Sequence, residues 1–566
     1  MKEERSMRLY SKAAAVAAIV GLALAGCSAS TETGGGQEGG AAHEYGPANI
    51  NPQDPASLKD GGEFRMAIET MPDQWSRAHV NGNTNDNKKL QDFMLPGNFI
   101  VTPEGEFEVN KDFAESAEAV EKDGKTVVTL KLNPKAIWND GSPITVEDYI
   151  ATWKAQNGSN KEFAVASTDT WEPVESVEKG ANEFEVIITF KTTAPDWRTA
   201  AGGAYHRDSM ADPKTFNEGQ VGEMKAEWYT GPFKVEKYDK AAKVITYVRN
   251  EKWWGEPAKL ERIQIRAVDS AGQATSFTNA ELDYLEAIDA SQYELLQTRP
   301  DAETRGATSP QWRHFTFNSK AGLLKDVELR RAIVKGIDRE AIAESDLAGL
   351  PVTPKTLMLG NHFFMPAQAG YQDNGKDYAF DPEKAKAELE ALGWKPGADG
   401  IREKDGQRLT LGFTVLSGIF TSENEGKLFQ EQMKEIGVEV KLDNAAPADF
   451  SKILDEGSFE IIAFSWVGTP YPMHNIGQIY GSGSESNYAQ IDDPKIDEYV
   501  KQIGAEMDVE KRRQLTNEVD KLIWDNVHTL PIYNRVLFTG VPKTLANYGS
   551  FGISSEQHEK IGYTAE

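Results

Sequence analysis

The chain of 566 residues carries one cysteine, Cys27, at the end of the run Leu24-Ala25-Gly26-Cys27. A thiol can be acylated, oxidised or metallated. With no second cysteine, an intramolecular disulfide and a multi-thiolate metal site are excluded, and stability must come from packing. Eight histidines stand at positions 43, 79, 206, 314, 362, 474, 528 and 558. None forms His-x-x-x-His or His-Glu-x-x-His, and neither a Gly-x-Ser-x-Gly elbow nor a phosphate-binding Gly-x4-Gly-Lys-Ser/Thr loop occurs. The spacings that announce zinc hydrolysis, serine acyl transfer or nucleotide hydrolysis are therefore missing, and the reading is a protein that is not an enzyme and needs no cofactor. The densest chemistry is aromatic. Trp466-Val467-Gly468-Thr469-Pro470-Tyr471-Pro472 leads through Tyr480 to Asn487 and Tyr488. Rigid rings among Gly, Pro and Ser at the end of a strand provide contact area for a ligand rather than reactive groups.

Lys2, Arg5, Arg8 and Lys12 precede an uncharged run from Ala13 to Ala25. A basic start, a short apolar stretch and small residues before a cleavage point describe a secretory signal. The run falls short of the roughly 20 residues that span a bilayer. Leu24-Ala25-Gly26-Cys27 resembles the lipobox of bacterial lipoproteins. The resemblance implies that residues 1–26 are a signal peptide and that Cys27 is acylated with diacylglycerol and becomes the new N-terminus. Two acyl chains hold a protein to a membrane stably where one does not. Residues 27–60 then comprise the acylated cysteine and a flexible linker rich in Gly, Ala, Ser and Pro. The net charge of −27 repels nucleic acid and anionic headgroups, so the only membrane contact expected is through the lipid, on the outer face of the cell membrane.

The body begins at Gly61-Gly62. Alternating apolar residues predict strands at Phe64–Ile68, Val128–Leu132, Phe184–Phe190, Val244–Val248 and Ile263–Ile265, with a long Asn-rich loop from Met71 to Asn87. Beyond about residue 320 helices alternate with strands. Asp326 and Asp381-Pro382 open helices as caps, and Gly393 and Gly437 close them. Strands are expected at Leu409–Val415, Val438–Leu442 and Phe459–Trp466. Two further helices follow, one opening at Asp493-Pro494 and one carrying Leu515, Val519, Leu522 and Ile523. The last leads through Leu530-Pro531-Ile532-Tyr533 into a closing strand. This is an α/β chain with two lobes, each with its own sheet.

Five collinear segments resemble signatures of the extracytoplasmic solute-binding proteins of ABC importers, the oligopeptide-, dipeptide- and nickel-binding type. They are Trp138-Asn139-Asp140-Gly141-Ser142-Pro143-Ile144-Thr145; Gly231-Pro232-Phe233 with Trp253-Trp254; Phe317-Asn318 with Arg330-Arg331-Ala332-Ile333; Asp381-Pro382-Glu383-Lys384-Ala385 with Gly393-Trp394; and Ser486-Asn487-Tyr488. The resemblance implies a bilobal periplasmic-binding-protein-like fold with lobes joined by hinge crossings near Arg305–Phe315 and Trp524–Tyr533. Lobe I then consists of 61–90, 225–305 and 526–566, an inserted domain of 91–224, and lobe II of 306–525. It implies a monomer that captures a peptide or another small molecule between the lobes and delivers it to ABC permease and ATPase subunits. The alternative is a cell-envelope lipoprotein of the same fold serving glycolipid assembly or sensing, because the Trp-Val-Gly-Thr-Pro variant resembles a branch of high-GC Gram-positive bacteria with such relatives.

Candidate ligand contacts are Trp466, Thr469, Tyr471, Tyr480, Asn487 and Tyr488, joined by Gln74 and Trp75 after the opening strand, Trp312 beside the first hinge, and Phe420 after the Leu409–Val415 strand. Peptide-binding members of the family place an aspartate three residues after the tryptophan, where it pairs with the peptide ammonium. Here that position is Thr469. Either another acid serves, or the ligand is not a free-N-terminus peptide held in that way.

Overall fold

Alternating apolar side chains build the three largest of the six sheets in the described residues, each with its own core. The computed structural model describes residues 45–565 apart from Pro96, Asn475 and Glu485, so the signal and Cys27 lie outside the described residues. Phe64, Met66 and Ile68 are buried along the Glu63–Ile68 strand. That strand pairs in parallel with Arg262–Ala267, followed by Val244–Arg249 and Phe233–Asp239. A second sheet lies within 91–224. Its order is Ala114–Lys122, Lys125–Leu132, Glu185–Phe190, Val174–Lys179, packed on Trp138, Tyr149, Trp171 and Trp197. The third has six strands in the order Leu285–Ala287, Thr529–Pro542, Ala302–Phe317, Ile461–Val467, Thr410–Leu416, Glu439–Ala445. Helix Phe420–Glu435 makes the crossover between the parallel strands Thr410–Leu416 and Glu439–Ala445. Among the described residues no helix is long and apolar enough to cross a membrane.

Ala302–Phe317 and Thr529–Pro542 pair antiparallel over almost their whole length, from Ala302↔Pro542 to Thr316↔Thr529. The expected hinge crossings are thus one continuous strand pair, and a boundary at 305/306 cuts through a strand. The ladder is irregular between Thr308 and Trp312 and again between Arg313 and His314. Asn534 fills the gap: its amide donates to the carbonyls of Ser309 (2.7 Å) and Gln311 (2.8 Å).

Two further expectations are corrected. Residues 45–60 are not a free linker. The Tyr45 ring meets Phe538 at 5.4 Å, the Asn49 N–H donates to the Ser550 carbonyl at 2.8 Å, and the Gln53 N–H donates to Asn547 Oδ1 at 2.8 Å. Backbone hydrogen bonding along the body substitutes for the apolar burial that the composition lacks. The Met71–Asn87 loop ends in a helix, Asn85–Gln91, capped by Thr84. The Asn87 amide, wholly buried, ties the loop down by donating to the carbonyls of Trp75 (3.1 Å) and Gly82 (2.7 Å).

A buried charge cluster sits beside the second irregularity. The Arg313 guanidinium forms a fork with Glu425, at 2.6 Å and 2.5 Å. Asp346 accepts from Asn424 at 2.9 Å and from the Tyr533 hydroxyl at 3.3 Å. Burial, reinforced by the Glu425 charge, pushes the Asp346 carboxyl up to about 8. The sign follows from linkage. Between its unfolded value near 4 and about 8 the native chain keeps a proton that the unfolded chain has lost, so stability falls as pH rises through that window. Asp346→Asn removes the titration. We expect the variant to be more stable than the wild type at pH 8–9 and to show a flatter pH dependence of the denaturant midpoint between pH 5 and 9. An unchanged slope would place the proton elsewhere.

Candidate functional site

A cleft of about 630 Å³ lies between the 91–224 segment and the second lobe, within the size range of small-ligand sites. The 91–224 side contributes the turn before strand Phe107–Val109 and the turn Pro195–Arg198 beyond strand Glu185–Phe190. The facing side contributes Pro470–Met473, beyond strand Ile461–Val467, and Arg512 and Arg513. The two arginines ride on helix Val509–Asn526, whose start is fixed by Asp508 accepting from the Lys511 N–H at 2.8 Å.

Charged and aromatic contacts bridge the cleft. Arg512 donates through both terminal nitrogens to Asp196, at 2.8 Å and 2.5 Å, and His474 Nδ1 lies 3.0 Å from the same carboxylate. Arg513 donates to Glu106 at 2.7 Å. The Phe107 and Tyr471 rings meet at 4.7 Å. The Asp196 and Arg512 side chains are only 15% and 6% exposed, so this pair is screened far less than a surface ion pair. Burial alone would raise the Asp196 carboxyl. Hydrogen bonds from His474 and Arg512, with their charges, outweigh it and hold the group down at about 2.

The structure sorts the sequence-derived candidates. Tyr471 lines the cleft. Thr469, exposed, turns its hydroxyl to accept the Tyr471 N–H at 3.2 Å and so shapes the loop locally. Trp466 and Tyr488, both half-buried, stack on each other at 5.9 Å and pack on Phe464. Five candidates are internal here. Gln74 is buried, donating to the Asn217 carbonyl and accepting the Ser76 N–H, each at 2.9 Å. Trp75 has no exposed surface and belongs to the first-sheet core. Trp312 packs with Leu359 and Met365. Tyr480 is buried against His528, and Asn487 is buried, donating to the carbonyls of Gly481 and Ile491. Phe420 is 71% exposed at the start of its helix and does not line the cleft. Residues at strand ends face a ligand or the core with equal ease, and here most face the core.

Asp196, Arg198, Glu106, Phe107, Arg512 and Arg513 were not among the candidates. Asp196-Trp197-Arg198, charged and aromatic just past a buried strand, carries the same signal that drew notice to Tyr471. Among the described residues, no group of three or more His, Cys, Asp or Glu could hold a metal ion.

Comparison with known proteins agrees with this architecture. The chain is 35% identical to an oligopeptide-binding protein OppA of Mycobacterium tuberculosis, over 96% of this chain and 92% of that one. Its fold matches the solved periplasmic EDTA-binding protein EppA, with a TM-score of 0.81 at 24% identity, covering 92% of this chain and 98% of that one. It also matches AppA of Bacillus subtilis in complex with a nonapeptide, with a TM-score of 0.66 at 17% identity, covering 90% and 100%. These likenesses establish the bilobal α/β periplasmic-binding-protein fold. Residues 108–488 match the model of the bacterial extracellular solute-binding proteins, family 5, and the chain belongs to that family.

Proposed function

We propose that this protein is the solute-capturing component of an ABC importer, taking peptides into the cleft between the 91–224 segment and the second lobe and presenting them to a membrane permease. The observation that carries the reading is the cleft itself, flanked by ion pairs and an aromatic contact that join the 91–224 segment to residues 471–513. Solute that completes the cleft stabilises this closed arrangement because it binds it better than an open one. The OppA likeness along nearly the full chain supports peptides as the solute. Acylation at Cys27 tethers the body at the outer face of the membrane, and the body acts as a monomer.

Thermal-shift titration tests the proposal. A ligand that binds only the native state at 100 times its Kd adds about 2.7 kcal/mol, so a peptide pool at saturating concentration raises Tm. A rise with no peptide of any length from two to ten residues, alongside a rise with an envelope glycolipid, would overturn the import reading.

A further inference from the structure

We propose that residues 45–49 are a strap laid across the hinge, holding the closed arrangement shut. The strap stands on its own contacts; that the lobes open and close around a solute rests on the preceding reading.

Strand Ala302–Phe317 is covered on one side by Thr529–Pro542 along nearly its whole length, but on the other by Ile461–Val467 only from Gln311 onward. Among the described residues no strand lies beside its first half on that side, and an open edge leaves N–H and C=O groups to be paired. The Gly468 N–H takes the Pro310 carbonyl at 2.8 Å. Pro310 itself has no N–H to give. The next rung comes from the other end of the chain. The Gly46 carbonyl accepts from the Thr308 N–H at 3.0 Å and from the Thr308 hydroxyl at 3.3 Å. At Thr308 the ladder to Thr529–Pro542 becomes irregular, so Gly46 supports the strand at the point where it can bend.

The strap is pinned on both sides of that point. At one end the Asn49 and Ser550 backbones exchange hydrogen bonds, at 2.8 Å and 3.0 Å, and Arg305 donates to the Ile50 carbonyl at 3.3 Å. At the other end the Tyr45 ring stands edge-on to Phe538 at 5.4 Å, and its hydroxyl donates to the Pro351 carbonyl. Pro351 follows helix Arg339–Asp346, which is tied to the far half of the strand pair. Arg339 donates to the Pro531 carbonyl at 2.7 Å, and Asp346 accepts from the Tyr533 hydroxyl. Two glycines keep the track open. A Cβ on Gly306 would come within 2.7 Å of the Tyr45 ring, and one on Gly552 within 2.1 Å of the Pro47 carbonyl. A segment fixed to both halves of a bending strand pair must stretch or release when the pair bends. Its contacts therefore favour the arrangement in which they are made.

The test compares wild type, Y45A, Y45F and N547G in the full chain. Asn547 holds the same N-terminal segment further on, accepting the Gln53 N–H at 2.8 Å. It sits at φ 60°, so glycine keeps the backbone and removes only the amide; this variant weakens docking of the segment and leaves the strap in place. Y45A should bind a peptide pool about 5- to 30-fold more weakly, the span of one neutral hydrogen bond with one aromatic pair. Unliganded, it should show faster amide exchange at 308–311 and a larger radius of gyration. Y45F, which keeps the ring, should lose a smaller share. N547G should lower Tm with affinity unchanged. Y45A with affinity, exchange and radius all unchanged overturns the strap, and so does an equal loss of affinity in N547G. Faster exchange and a larger radius in Y45A, with no peptide bound by wild type, uphold the strap and overturn the peptide reading.

Discussion

Replacing Asp196 by alanine lowers peptide affinity on the order of 100-fold and shifts the unliganded protein toward a larger radius of gyration. The carboxylate is the shared acceptor of Arg512 and His474. Removing it leaves the Arg512 guanidinium, 6% exposed, without a counter-charge. Breaking one side of a buried pair costs about 3–5 kcal/mol, and each 1.4 kcal/mol is about tenfold in affinity. On the proposed capture mechanism the cost falls on the closed arrangement, because the pair joins the 91–224 segment to helix Val509–Asn526. D196A/R512M, which removes both charges, should recover much of the loss. Acid repeats the experiment without mutation. The group's pKa is depressed to about 2, so its contribution is complete above about pH 4 and is lost as pH falls toward 2. Titration calorimetry with X-ray scattering checks both arms. Unchanged affinity in D196A would remove this pair from the closure mechanism.

Glu425→Ala should destabilise the second lobe by about 3–5 kcal/mol, read as a lower denaturant midpoint. Glu425 is wholly buried and Arg313 nearly so, and without the carboxylate the guanidinium keeps its charge where water cannot reach it. The loss has a built-in buffer. The Glu425 charge is one reason the Asp346 carboxyl is held protonated, so deleting Glu425 frees Asp346 to ionise beside Arg313. E425A/D346N, which blocks that rescue, should therefore lose more than the two single effects added together, as coupled sites do. Additive behaviour would separate Asp346 from the cluster. R313M/E425L, with no buried charge at all, should come close to wild-type stability.

Local physics made much of the fold legible. Asp326, Asp381-Pro382 and Asp493-Pro494 do cap helices, because a cap acts within one turn and needs no distant partner. Strands with one buried face, such as Lys125–Leu132 and Thr410–Leu416, announce themselves by alternation. Ala114–Lys122 did not. Its Ala and Glu content favours helix, and its place is set by pairing with the next strand and by Ala114 in the core. The site divides in the same way. Tyr471 was legible as an aromatic in irregular chain after a buried strand. The Asp196–Arg512 pair was not, since its members stand 316 residues apart and meet only through tertiary structure. Trp75, Tyr480 and Trp312 are buried here, and an aromatic near a strand end has the same sequence pattern whether it turns inward or toward a cleft.

Hydrogen exchange with and without a saturating peptide pool tests the central claim most directly. Capture in this cleft predicts slower exchange in 104–107, 195–198, 470–473 and 507–513 together, with the backbone around Trp75 and Tyr480 unchanged. Protection confined to one side of the cleft, or centred on those internal aromatics, would contradict it.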